Sequence, residues 1–121
     1  MATLDSSTRA VWMHSKHLAK RSLKEREKTI GNLENKRDKI GTELLEMRKR
    51  LLDIEMKIVS RISAGKSTDR IKDAPAFYEK SIERLESEIE EIDKQMIVIR
   101  DEVHDAIDRI FLAESNISTC C

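Results

Sequence analysis

Few of the 121 residues have the type and spacing that chemistry requires. Gly65-Lys66-Ser67 reproduces the end of the phosphate-binding loop G-x-x-x-x-G-K-[ST], whose backbone amides cradle phosphate oxygens. That loop needs a glycine where this chain has Ser60, and a strand before it where this chain continues a helical pattern, so nucleotide binding is not expected. His14 and His17 stand about one helical turn apart and could share a face, but a metal ion needs further ligands, and no cysteine or third histidine lies nearby. His104, between Val103 and Asp105, reads as an exposed helix residue. No serine, histidine and acid stand in a strand-turn-helix setting, and a narrow coiled coil offers no deep pocket. Cys120 and Cys121 are adjacent; a prenylation box would need cysteine in place of Ser118, and a disulfide between chain neighbours is strained. No catalytic residue, cofactor or metal is expected, and the chain reads as a non-enzyme.

What remains is the arrangement of elements. Charged residues make up 38% of the sequence and aromatic ones 3%, and one Pro with three Gly leaves few places to turn, which points to long helices instead of a sheet. The 39% of hydrophobic residues are periodic, which separates the chain from a disordered polyelectrolyte. From Leu23 they recur in alternating steps of three and four, with a positions at 23, 30, 37, 44, 51 and 58 and d positions at 26, 33, 40, 47 and 54. Only Arg26 and Arg37 interrupt this heptad seam. A second seam runs from Tyr78 through Leu85, Ile92 and Ile99 to Ala113 with no polar interruption. Both helices are built to bury one side against a partner.

Between the seams lies a run of small and polar residues from Ser63 to Pro75. Gly65 suits a helix C-cap, Asp73 can cap the next helix, and Pro75 is tolerated in its first turn. The expected fold is all-α: a long antiparallel two-helix coiled-coil hairpin with an N-terminal helical overhang. In sequence order this gives a basic overhang at 1–22, a first arm at 23–62, a connecting loop at 63–74, a second arm at 75–115 and a flexible tail at 116–121. Gly31 and Gly41 fall inside the first helix and read as tolerated surface glycines.

Charge divides the two arms. Residues 1–72 carry 18 Lys or Arg against 10 Asp or Glu, whereas residues 73–121 carry 5 against 13. The arms are electrostatic complements. Matching flanking charges selects a register in which Leu51 meets Leu85 and Leu44 meets Ile92, with Arg48 beside Glu86, Arg50 beside Glu88 and Lys36 beside Glu102. In that register Arg37 faces Ile99, Arg26 faces Ile110, and Ser115 lies opposite Arg21.

Two sets of apolar residues have no partner in this scheme. Trp12 lies in the overhang together with Leu4, Val11 and Leu18. A second, outer stripe joins Leu45, Leu52 and Val59 with Ile97, Val98, Phe111 and Leu112. An isolated hairpin should present charge there, and larger apolar patches mark interfaces. The expected function is that of a non-enzymatic interaction or assembly subunit, of adaptor, trafficking or secretion-apparatus type, that bundles with other helical subunits or with its own copies. Two alternatives stand beside it: an export-type or assembly chaperone that holds a helical client, and nucleic-acid binding through the basic overhang, where residues 9–28 hold seven Lys or Arg and two Glu. No apolar run is long enough to span a bilayer and Met1 to Ala10 lack a signal segment, so the expected compartment is the cytoplasm, with peripheral membrane contact disfavoured.

Overall fold

The computed structural model describes residues 6–119. Leu4 of the overhang and the cysteines at 120 and 121 lie outside them. Two helices, α1 (Ser6–Ser63) and α2 (Ala74–Ser118), pack against each other as an all-α helical hairpin, with no strand among the described residues.

The reversal between them is made by a glycine. At the end of α1 the Gly65 amide donates to Ile62 O at 3.0 Å and the Lys66 amide donates to Arg61 O at 2.8 Å, the paired bonds of a Schellman cap with Gly65 at φ 70°. An L side chain rarely adopts that φ, which is why glycine stands there. Arg61 Nε then donates to Ser67 O at 2.7 Å, so the side chain of the last turn also ties down the first loop residues. A second turn follows, in which Thr68 O accepts from the amides of Ile71 and Lys72 at 3.0 and 2.8 Å. Thr68 and Ile71 are half-buried. Asp73 stands immediately before α2, and Pro75 is its second residue, where the missing N–H costs no helical hydrogen bond.

The contacts divide the chain into two units. One comprises the described residues up to Leu33 with those from Lys94 onward, the other Glu34 to Asp93. In the second unit Ile40 and Leu44 of α1 and Leu85 and Ile92 of α2 are buried, Leu85 at 2% exposure. All four are seam positions. Two ion pairs show the antiparallel sense, because Arg37 meets Asp93 while the later Arg48 meets the earlier Glu86. In the first unit the buried residues are Ala19, Met96, Ala106 and Ala113, again on the seams, and the pairs Lys16–Glu114 and Arg26–Glu102 give the same antiparallel sense.

The register differs from the charge-matched expectation. Arg48 does meet Glu86. Arg37, however, reaches Asp93 instead of lying at Ile99, and Arg26 reaches Glu102 instead of lying at Ile110, so the partners sit about two helical turns nearer the loop. Arg50 bonds Glu46 of its own helix and not Glu88. The difference follows from the turn: a symmetric loop would place the reversal midway between the helices, whereas the Schellman bonds turn the chain at Gly65, at the loop's start. Pairing also extends further toward the N-terminus, since Lys16 bonds Glu114 and Ala19 is buried. At the other end α2 continues through Ser118, so residues 116–118 are helical where a tail was expected.

Gly31 and Gly41 have nothing within 4 Å of where a Cβ would stand, so neither marks a close helix contact. Gly31→Ala and Gly41→Ala should each raise stability by about 0.5–1 kcal/mol, while Gly65→Ala should lower it by about 1 kcal/mol, read from urea denaturation followed by helical circular dichroism. A loss on either helix-interior substitution would show that those backbones are crowded after all.

Candidate functional site

Polar groups on the seam are the first place to look for chemistry, because a seam residue is shielded from water by its partner helix. Arg37 Nε donates to Asp93 Oδ1 at 2.7 Å, with Nη2 3.3 Å from Oδ2, a two-pronged guanidinium–carboxylate pair. The hydrogen bond that Arg37 donates to Asp93, and then the charge of that carboxylate, raise the Arg37 pKa above the usual value. Arg26 Nε donates to Glu102 Oε2 at 2.6 Å and Lys16 Nζ lies 3.2 Å from Glu114 Oε1. All are partly exposed, so these contacts hold position more than they add stability. No described buried side-chain polar atom lacks a partner.

The first unit holds an open cleft of about 480 Å³, lined by Ser15, Leu18, Ala19, Ser22, Arg26, Glu102, Asp105, Ala106 and Arg109. Its origin is local: Ser15, Ala19, Ser22 and Ala106 are too short to fill the space between the helices. The charged groups around it are matched within the chain, Arg26 to Glu102 and Arg109 Nη2 to Asp105 Oδ2 at 2.9 Å. The lining contains no His, Cys or Lys, and its two carboxylates, Glu102 and Asp105, are each ion-paired to an arginine. A smaller cleft of about 330 Å³ in the second unit is lined by Arg50, Asp53, Ile54, Lys57 and Tyr78. The described residues contain no group of His, Cys, Asp and Glu that could hold a metal ion.

The strongest departure from an ordinary charged surface is apolar. In the second unit Leu45, Leu52, Met56 and Val59 of α1 are 57–68% exposed. At about 100° per residue they fall within roughly 60° of arc and run for about 21 Å along the helix, on a side well away from the seam. Met56, absent from the stripe expected from the sequence, belongs to it, one helical turn from both Leu52 and Val59. In the first unit Ile97, Val98, Phe111 and Leu112 of α2 are 55–66% exposed and share one face, with Asp101, His104 and Asp108 between the two apolar ends. The residues of the expected outer stripe fall in both units, Leu45, Leu52 and Val59 in one and Ile97, Val98, Phe111 and Leu112 in the other, and all are exposed.

Trp12 is half-buried on the continuation of the α1 seam, and the exposed apolar residues of that end are Val11, Met13 and Leu18. Ile62 and Phe77 are exposed as well, with Phe77 set edge-on to Tyr78 at a 5.5 Å ring separation. Of the basic residues considered for nucleic acid, Lys16 is paired with Glu114 and Arg21 lies 3.8 Å from Glu25. No described helix is long and apolar enough to cross a membrane.

Comparison with protein-family models, with curated proteins and with solved structures finds no match to this chain.

The seam and its polar interruptions should respond differently to substitution. Leu85→Ala should cost about 2–5 kcal/mol in urea denaturation. A double-mutant cycle on Arg37 and Asp93 should return a coupling below about 1 kcal/mol that shrinks as salt is raised. A coupling of several kcal/mol, insensitive to salt, would make this pair a structural anchor instead of an exposed positioning contact.

Proposed function

We propose that the protein is a non-enzymatic assembly subunit whose outer helix faces pack against other helices in a larger complex. The observation that carries this reading is the exposed stripe of Leu45, Leu52, Met56 and Val59, which gives α1 a second apolar side in addition to its seam. A helix with two apolar sides is suited to lie between two neighbours, and α2 is only one of them. Exposed singly, such residues need no explanation; four on one face do. The face on α2 at Ile97, Val98, Phe111 and Leu112 supports the same reading in the other unit. Recognition here rests on apolar burial and charge matching. The ion-paired charges around the first unit's cleft, Arg26 with Glu102 and Arg109 with Asp105, favour interaction over catalysis.

A photo-activated cross-linking residue placed at Leu52 or Phe111, in the cells that make the protein, should give discrete protein adducts on illumination. The same residue at Lys39 or Glu88, exposed positions turned away from these faces, should not. Adducts that are absent at all four positions, or equal at all four, would sink the assembly reading.

A further inference from the structure

We infer that the two outer faces fit one another in trans: the α1 stripe of one molecule packs on the α2 face of a second copy of the same chain. This rests on the assembly reading and names its partner. The first support is spacing. Leu45 and Val59 mark the ends of the α1 stripe; the pairs Ile97–Val98 and Phe111–Leu112 mark the ends of the α2 face. In both cases the apolar ends lie two heptads apart, about 21 Å on a helix, so the ends of one face meet the ends of the other whichever way the helices run.

The second support is charge. Within the α1 stripe the one cation is Lys49, one turn from both Leu45 and Leu52, and among the described residues it makes no ion pair in its own chain. Within the α2 face the carboxylates Asp101 and Asp108 likewise have no cation partner among the described residues. Superposing the apolar ends brings Lys49 level with Asp101 if the two helices run in the same direction and with Asp108 if they run in opposite directions. Either way an unpaired cation meets an unpaired carboxylate, and the basic arm of one molecule faces the acidic arm of the other. A second copy of α1 running in the same direction would instead set Lys49 beside another Lys49.

The third support is area. Each copy offers four large apolar side chains on each face, all more than half exposed. At on the order of 100 Å² per side chain, the two faces of each copy together offer about the 800 Å² per partner that a stable interface buries.

The test uses the purified full chain and its mass in solution, by size-exclusion chromatography with light scattering over a range of concentrations. The wild type should reach at least twice the chain mass. Leu52→Lys should shift the dissociation constant upward by about a hundredfold or more, and Lys49→Glu by about tenfold, with helical circular dichroism unchanged in both. Combining Lys49→Glu with either Asp101→Lys or Asp108→Lys should bring the constant back to within about threefold of wild type, and the rescuing aspartate reports the helix direction. A wild type that stays monomeric at about 100 µM, or a self-associated chain whose mass ignores Leu52→Lys, overturns the inference; so does Lys49→Glu that neither aspartate rescues. A monomer that still cross-links to other proteins at Leu52 in cells would remove the second copy as partner and leave the broader assembly reading standing.

Discussion

A helix with so many ionised side chains can bury itself along one narrow strip or not at all. Here that strip is the heptad seam, and the eight buried apolar residues of the described chain all lie on it or on its N-terminal continuation. Hydrophobic burial supplies the drive. The remaining surface of each helix is free to carry charge, and the opposite net charges of the two arms make their approach favourable at long range. Long-range attraction between arms does not fix which residue meets which. That choice belongs to shorter-range forces, and the first of these is the cap at Gly65.

Once the chain has turned at Gly65, the cations on the α1 seam decide how the rest is accommodated. Lys16, Arg26 and Arg37 occupy seam positions, where an ammonium or guanidinium group would lose its water if it pointed inward. Each finds a carboxylate beside the α2 seam: Glu114, Glu102 and Asp93. The aliphatic stem can lie over apolar surface while the charged head reaches the edge of the interface. A slip of one heptad would part each cation from its carboxylate. Individually these pairs are weak, being partly exposed, but together they penalise the neighbouring registers that a uniform apolar seam would accept equally.

The helices, the seams and the turn were legible in the sequence because each has a local signature: a repeat of three and four, a glycine at the cap, an aspartate and a proline at the next helix start. The register was not. Counting flanking charges treats the loop as a neutral connector, whereas hydrogen bonds from Gly65 and Lys66 place the reversal at one end of it. The exposure of Leu45, Leu52 and Val59 was readable from helical periodicity, and Met56 would have been found by the same spacing. The cleft at Ala19 and Ala106 was hidden for a different reason: alanine satisfies an apolar pattern while leaving volume unfilled.

That unfilled volume bears on why the outer faces matter. Three of the eight buried residues are alanines, which remove little apolar area from water compared with leucine or isoleucine. The first unit depends on Met96 as its one large buried side chain, while Phe111, Leu112, Ile97 and Val98 stand in solvent on the same helix. A chain selected to be stable alone would place its large apolar residues on the seam and its small ones outside. Here the distribution is partly reversed, and small seam residues let two helices approach closely while large outer ones reach a neighbour. In α1 the seam itself is built of large residues, yet Leu45, Leu52, Met56 and Val59 also extend outward beside it. A hairpin with that arrangement gains more apolar burial from a further helix than from any rearrangement of its own two, which is the physical basis for reading it as one part of a larger bundle.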